Sequence, residues 1–209
     1  MSEVVNLIKA STIIVVRPDP EGGIEVLMTR RRPEMQFLGG FLVFPGGGVE
    51  DEDCSEKMLS LCRGLTRADA QKILGAGIDP EASLGHWVAA VRELFEETGI
   101  HFFVDENGMA PDHSRGGVAE RLGEKRQALS KGTLDLPRLL ESEGLFCDLG
   151  RFTYLFHRIT PEKYPVRFDT RFYLAALPPH QTPLGSSEEV SESLWLTPKT
   201  VFEKSVSGK

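Results

Sequence analysis

Three features that define common protein classes are missing from this sequence: paired cysteines, a surplus of basic residues and long apolar runs. The cysteines are odd in number and show no Cys-x-x-Cys spacing, so we expect free thiols and neither a disulfide framework nor a structural zinc site; they are Cys54, Cys62 and Cys147. The 31 acidic residues outnumber the 24 basic residues, giving a formal charge of -7. This balance argues against general attraction to nucleic acid or to an anionic membrane.

No apolar stretch is long enough to cross a membrane, and residues 1–10 lack the apolar core of a secretory signal, so a cytoplasmic protein is expected. No dinucleotide-binding Gly-x-Gly-x-x-Gly, phosphate-loop Gly-Lys-Ser/Thr or serine-hydrolase Gly-x-Ser-x-Gly motif stands out, which argues against those three enzyme classes. With 209 residues the chain can form one full core but not two comfortable ones. We therefore expect a single domain over residues 1–209.

The most informative stretch is an amphipathic helix that ends at Gly99. Asp79 and Pro80 have the residue types of an N-cap and a first helical position, and glycine is the usual residue just past a helix C-terminus. Between them, apolar residues recur with helical spacing and predict a buried stripe: Leu84, Trp87, Val88, Val91, Leu94 and Phe95.

Three carboxylates, Glu93, Glu96 and Glu97, fall at i, i+3 and i+4 on the opposite side of this helix. Each pair of like charges at this spacing destabilises a helix by roughly a few tenths of a kcal/mol. One interpretation is a solvated acidic face; the other is a site for a hard cation such as Mg²⁺, which prefers carboxylate oxygens. The small residues Ala89 and Ala90, one turn earlier, favour the second interpretation because they would leave room for a ligand.

Upstream, Gly46, Gly47 and Gly48 form a turn whose backbone can adopt positive φ and present carbonyl groups to a metal, and Asp53 follows shortly after. Together with Arg92-Glu93-Leu94-Phe95-Glu96-Glu97-Thr98-Gly99-Ile100, this pattern resembles the Nudix hydrolase signature. Two departures stand out: Asp53 replaces the family's Glu, and the 38 positions from 54 to 91 stand where the family usually has about seven. A split signature of this kind resembles the subgroup related to coenzyme A and acyl-CoA diphosphatases, with a helical insertion over about residues 54–85.

The resemblance implies an α+β fold, a Nudix-type α/β/α sandwich with a mixed sheet. It also implies one to three Mg²⁺ or Mn²⁺ ions as cofactors, and that Arg92 fixes the glutamate side chains by an i,i+4 pair without binding the metal itself. The candidate general bases are Glu93, Glu188 and Asp53. The implied metal ligands are Glu93, Glu96, Glu97, Asp53 and the Gly46 carbonyl.

Two further arginines are candidates for substrate contacts. Arg31 belongs to a partial match to the coenzyme A diphosphatase motif, which precedes the Pro-Gly-Gly turn at residues 45–47. Arg167 and Asp169 belong to an Arg-x-Asp-Thr run that also resembles this subgroup, and they share one side of a predicted strand. The alternatives remain open: Arg30 to Arg32 as an ordinary solvated loop, and Arg167 with Asp169 as a local ion pair.

The resemblance thus implies hydrolysis of a diphosphate linkage in a small nucleoside-diphosphate substrate, foremost CoA or acyl-CoA. The alternatives are a pyrophosphatase acting on ADP-ribose, NADH or dinucleotides, and a Nudix module that senses a nucleotide without cleaving it. No nucleic-acid or membrane partner is expected, and a homodimer stays open.

The remaining elements follow from periodicity and turn residues. His86 lies two turns before the glutamates and is expected to be an ordinary packing or surface residue. We expect strands near residues 11–17, 24–30, 100–104, 148–160, 167–176 and 193–196, and helices near 56–63, 66–74, 116–130, 134–142 and 197–203.

Overall fold

The computed structural model describes residues 7–114, 116–164 and 166–207, and its centre is a mixed β-sheet. Strand β1 runs in the middle: it pairs antiparallel with β2 and β4 on one side and parallel with β9 on the other. The order across the sheet is β10-β2-β1-β9-β8, with β3 attached to β2 and β4 attached to β1. These strands are β1 (Leu7–Pro18), β2 (Ile24–Arg31), β3 (Leu42–Val43), β4 (Gly46–Gly48), β8 (Thr153–Ile159), β9 (Arg167–Ala176) and β10 (Val190–Leu196).

A second, smaller sheet is made by segments that are distant in sequence. Strand β5 (Cys62–Arg63) pairs parallel with β7 (Phe146–Asp148), and β7 pairs antiparallel with β6 (Phe103–Val104). Strand β5 comes from the insertion, so the insertion is part of the folded core. The helices are α1 (Glu56–Ser60), α2 (Arg67–Leu74), α3 (Pro80–Thr98), α4 (Val118–Ser130), α5 (Leu136–Glu143) and α6 (Pro198–Ser207).

Helix α3 begins and ends at the residues that the sequence predicts. The Asp79 side chain accepts a hydrogen bond from the Ala82 N–H at 2.8 Å, Pro80 takes the first helical position, and Gly99 closes the helix with φ 75°. All six residues of the predicted apolar stripe are buried, and the Trp87 ring packs at 4.7 Å from Tyr173 of β9. This packing fixes α3 against the face of the sheet that carries Ile13, Val15 and Leu27.

Several other expectations are confirmed. Strands β1, β2 and β9 and helices α4, α5 and α6 lie where they are predicted, with boundaries shifted by a few residues. Thr66 caps α2 by accepting from the Asp69 N–H at 3.1 Å, and Thr197 caps α6 by accepting from the Thr200 N–H at 3.2 Å.

Three expectations need correction. The helix predicted for 56–63 stops at Ser60, because Cys62 and Arg63 pair with β7 instead. The strand predicted for 148–160 is interrupted by a 3₁₀ turn, Leu149–Arg151. Ala89 and Ala90 have no exposed surface, so they pack in the interior and leave no room for a ligand. Arg115 and Pro165 lie outside the described residues.

No helix in the described ranges is both long and apolar enough to span a membrane.

His86 joins α3 to the sheet as a buried neutral residue. Its Nδ1 lies 3.0 Å from the Ser11 hydroxyl of β1, and burial lowers the pKa of the imidazole to about 4. In the unfolded chain the imidazole has its ordinary pKa of about 6.5, so between these values the unfolded state binds more protons. Stability is therefore lost as the pH falls through this window.

We expect wild-type protein to lose more unfolding free energy between pH 7 and pH 5 than His86→Gln does. The difference should be about 1–2 kcal/mol, from the proton uptake of one imidazole. Urea denaturation at both pH values measures it, and comparing the two proteins cancels contributions from other groups. Equal losses in the two proteins would contradict the assignment.

Candidate active site

The acidic half of α3 lies against β4, and this close approach depends on glycine. A Cβ atom at Gly47 would lie 2.4 Å from the Glu93 carboxylate, and one at Gly46 would lie 2.3 Å from the Ser11 carbonyl oxygen. Gly46 also has φ 156°, which side-chain-bearing residues rarely adopt. The glycine turn therefore brings backbone directly onto the first of the three glutamates.

Arg92 is the hub of the site. Its guanidinium is almost fully buried and donates to both oxygens of Asp53, from Nε to Oδ1 and from Nη2 to Oδ2, each at 2.9 Å. Nη2 also donates to the Gly48 carbonyl oxygen at 2.7 Å. The third nitrogen, Nη1, donates to Glu93 at 2.9 Å and to Glu96 at 3.2 Å. The expected pairing of Arg92 with Glu96 is present, and Arg92 joins three chain segments.

Charge pairing keeps Arg92 ionised in this buried place. Burial alone disfavours its charge, but hydrogen bonds and attraction from Asp53, Glu93 and Glu96 outweigh burial and raise the pKa of Arg92 above its usual range. A guanidinium that accepts no hydrogen bonds and holds its charge is suited to orient carboxylates.

Asp53 differs from its expected role as a metal ligand or base. Only 2% of the residue is exposed, and its Oδ2 also accepts from the Glu50 N–H at 2.9 Å. Arg92 and the backbone together take three of the roughly four acceptor sites of this carboxylate. In this structure Asp53 holds Arg92.

The three glutamates carry negative charge that the protein does not fully compensate. Burial, followed by repulsion from Glu96, raises the pKa of Glu93 to about 7 although Arg92 opposes the shift. Burial and then Glu93 raise the pKa of Glu97 well above its usual value, and burial raises the pKa of Glu96. Glu97 is buried, and its Oε2 has no hydrogen-bond partner. A cation would relieve all of these effects.

This donor set suits a hard divalent cation, although the side chains are not already arranged around one. Within the described residues, no three His, Cys, Asp or Glu side chains converge as a metal cluster. Glu93 and Glu96 are turned toward Arg92, whereas the unpartnered Oε2 of Glu97 is available. The oxygen-only chemistry fits Mg²⁺ or Mn²⁺. Gly46 lies beside the cluster, where hydrogen bonding with its backbone lowers the Glu97 pKa slightly against the larger effect of burial.

Glu188 is brought to the cluster, as its nomination required. It lines a small cavity of about 50 Å³ whose walls are Glu93, Glu96, Glu97, Ser130, Ser187, Glu188 and Glu189. Glu189, the next residue in the chain, also lies 3.4 Å from the Arg31 guanidinium. This contact depends on the pairing of β10 with β2, which places Val190 opposite Arg31.

Two larger cavities meet at Glu93 and Glu189, which line both. The polar cavity, about 440 Å³, is bordered by the acidic turn at 50–53, by Arg92 and Glu96, and by the segment 129–138. The aromatic cavity, about 580 Å³, is lined by Phe37, Phe44, Phe168, Phe172 and their neighbours, together with Arg31 and Arg158. Glu93 thus lies at the junction of two differently lined spaces.

Of the predicted arginines, Arg31 lines the aromatic cavity as a substrate contact would. Its neighbours are used internally: Arg30 donates to Glu192 and to the Gly40 carbonyl, and Arg32 donates to the Ser187 carbonyl. The open loop considered for residues 30–32 is therefore mostly tied down.

Arg167 and Asp169 do not form the expected pair. Arg167 donates from Nε to the Thr160 carbonyl at 2.9 Å, and Asp169 binds Arg171 and His157 instead. Arg171 is two residues further along β9, so it shares the face of Asp169 just as Arg167 does. The residue that sequence reasoning missed is Arg158 on β8, which lines the aromatic cavity.

Removing the Asp53 side chain should lower the free energy of unfolding much more than removing that of Asp51. Asp53→Ala leaves a buried guanidinium without its two-pronged partner, which typically costs about 3–5 kcal/mol. Asp51→Ala, in the same 3₁₀ turn but exposed, should stay within about 0.5 kcal/mol of wild type. Urea denaturation at neutral pH measures both, and similar losses in the two variants would show that Arg92 does not depend on Asp53.

Comparisons with known proteins agree with this geometry. Residues 2–209 match the family model described as the NUDT19 Nudix domain. The crystal structure of a Nudix hydrolase from Alicyclobacillus acidocaldarius superposes with a TM-score of 0.75 at 29% identity, covering 98% of this chain and 85% of that one. The expected α+β Nudix fold is confirmed.

Two curated relatives are similar over most of this chain. Putative nudix hydrolase 7 of Caenorhabditis elegans is 27% identical over 88% of this chain and 50% of its own length. Acyl-coenzyme A diphosphatase NUDT19 of Gallus gallus is 26% identical over 90% of this chain and 58% of its own length. This chain therefore spans about half the length of the curated relatives that it matches. The match across the whole chain, together with the Arg92 hub and the three glutamates, shows that this chain belongs to the Nudix hydrolase family as a NUDT19-type Nudix domain.

Proposed function

We propose that this domain hydrolyses a diphosphate linkage in a nucleoside-diphosphate derivative, using Mg²⁺ or Mn²⁺, and that CoA or acyl-CoA is its best substrate. The observation that carries the proposal is the position of Glu93, Glu96 and Glu97. All three line the small cavity, where the Oε2 of Glu97 has no hydrogen-bond partner, and Glu93 also lines both larger cavities.

Nudix enzymes generally use divalent metal ions, and the residues present fit one. Glu93, Glu96 and Glu97 would hold the ion, with the Gly46 backbone beside them. When bound, it supplies positive charge against a diphosphate and makes a water molecule easier to deprotonate.

The chain's own residues supply orientation and proton transfer. Arg92 holds Glu93 and Glu96 by its hydrogen bonds, and Asp53 and the Gly48 carbonyl hold Arg92 in turn. Such outer partners fix the direction of a ligand side chain. Glu93 and Glu188 are the candidates to accept a proton, because both line the small cavity beside Glu97. We do not retain Asp53 as a candidate base, because Arg92 donates hydrogen bonds to both of its oxygens.

A substrate with two dissimilar ends joined by a diphosphate fits two differently lined cavities that share Glu93. CoA has this form, and the curated relatives named acyl-coenzyme A diphosphatase support it at about a quarter identity. ADP-ribose, NADH and dinucleotides also have two ends, so they are the alternative substrates. A nucleotide sensor without turnover is the remaining alternative, and the intact glutamate trio counts against it.

The activity should depend on Glu97. We expect Glu97→Gln to lower metal-dependent CoA hydrolysis by roughly 100-fold or more, because a preorganised charge at the reacting centre is removed. Glu81→Gln, at the far end of the same helix, should retain wild-type turnover. A panel of CoA, ADP-ribose, NADH and dinucleoside polyphosphates ranks the substrates. If CoA ranks last, the CoA assignment is wrong and the hydrolase assignment stands; no turnover of any substrate points to a sensor.

Metal binding can be measured without any substrate. Mg²⁺ at about 100 times its dissociation constant should stabilise the wild-type fold by about 2.7 kcal/mol, because the ion binds only the folded state. Glu97→Gln should lose most of this gain, while Glu81→Gln keeps it. Thermal unfolding with and without Mg²⁺ gives the shift. An equal gain in all three proteins would place the ion elsewhere.

A further inference from the structure

The aromatic cavity contains a cation with no protein partner. Arg158, on β8, lines this cavity, and in the described ranges of the chain its side chain makes no hydrogen bond or ion pair. Arg31, the other arginine of the cavity, is paired with Glu189. A lone guanidinium among phenylalanine rings is suited to an anionic group carried by a flat, apolar one.

The other walls of the cavity provide both kinds of contact. Phe37 and Phe168 lie with ring centroids 5.0 Å apart and tilted by 52°, and part of the Phe37 ring is exposed. The Thr160 hydroxyl accepts from the Phe168 N–H at 3.0 Å, so its own hydrogen is free to donate. Thr170 adds a second hydroxyl to the lining. Aromatic faces, hydroxyl donors and an arginine are the side chains that bind a base and a phosphate.

The register of the sheet gives the distance between this cation and the glutamates. Arg158 lies opposite Thr170, Thr170 lies beside Ala10, and Ala10 lies opposite Gly48 of the glycine turn. Three steps between neighbouring strands separate the Cα atoms of Arg158 and Gly48 by roughly 14 Å. Gly47, the neighbour of Gly48, lies against the Glu93 carboxylate. A diphosphate bound at Glu93 would therefore lie well away from Arg158, which is left to bind a second anionic group on the same molecule.

The polar cavity does not suit that second anion. Its lining has two arginines, Arg92 and Arg138, and each of them already pairs with a lining carboxylate. The carboxylates of the lining outnumber them and would repel a phosphate: Glu50, Glu52, Asp53, Glu93, Glu96, Asp135 and Glu189. An aliphatic acyl chain is also a poor occupant of the aromatic cavity, because it would cover the Arg158 guanidinium without giving it a partner. The two cavities therefore differ in the end of the substrate that each accepts.

We propose that the aromatic cavity binds a ribose-phosphorylated adenosine end of the substrate, with Arg158 contacting the ribose phosphate and Phe37 and Phe168 contacting the base. This inference deepens the function proposed above and rests on it. It makes Arg158 the residue that distinguishes CoA from its analogue without the 3′-phosphate.

The test compares hydrolysis of CoA and 3′-dephospho-CoA by the 209-residue chain with Mg²⁺. Wild type should prefer CoA in kcat/KM, and Arg158→Ala should reduce this preference at least about tenfold, mainly through KM, because a charged hydrogen-bond donor is lost. Arg158→Lys should keep part of the preference. Arg151→Ala, an exposed arginine that pairs with Asp148 before β8, is the matched control and should keep all of it.

Two kinetic results would overturn the inference. One is a wild type that treats the two substrates alike; the other is an Arg158→Ala variant that loses the same factor on both. The acyl alternative has its own signature: KM would depend on acyl chain length, and Phe168→Ala would remove that dependence.

If the chain hydrolyses neither compound, calorimetric binding decides. Adenosine 3′,5′-bisphosphate should bind more tightly than 5′-AMP to wild type, and Arg158→Ala should lose the difference. That result supports the inference although the proposed hydrolysis fails. Equal binding of the two nucleotides to wild type overturns it.

Discussion

The arrangement of the site depends on one buried ion pair, between Arg92 and Asp53. The two side chains meet through two hydrogen bonds of 2.9 Å in a place where 5% of Arg92 and 2% of Asp53 are exposed. A buried charge is tolerated only when it is paired and hydrogen-bonded, so each residue fixes the other. Through this pair, the turn at 51–54, the glycine strand β4 and the glutamate-bearing half of α3 keep one relative position. The positions of Glu93, Glu96 and Glu97 therefore depend on this ion pair.

The parts of the fold that were predictable from sequence have local causes. Helix α3 was located because a cap, an N1 proline, an apolar stripe and a terminal glycine agree within one segment. Strand β5 could not be found in this way, because two residues form a strand only when a distant partner, Cys147–Asp148, is already in place. The contacts of Asp53 could not be predicted for a related reason. Its resemblance to a metal-ligand position said nothing about the guanidinium 39 residues later that occupies it.

The same distinction between local and distant causes applies to the candidate site. The glutamates share a helix, so helical pitch alone predicts that they lie together. Arg158 and Arg31 come from two strands, and Glu189 immediately precedes a third, so only the order β10-β2-β1-β9-β8 and its register bring them to the space beside Glu93. Arg167 shows the limit of reasoning from a single strand. Its alternation with Asp169 was correct, but Arg171 has the same alternation and is the residue that Asp169 binds.

The three-stranded sheet gives the insertion a structural meaning. Its strand β5 lies along β7, and β7 carries Cys147, which is fully buried. Trimming residues 54–85 to the usual length of the signature would not yield a minimal enzyme. The shortened protein would lose the strand that pairs with β7, and the Cys147 thiol would become exposed. It would also lose the segment that directly follows Asp53. In this protein the insertion is therefore an integral part of the fold and not an appendage to it.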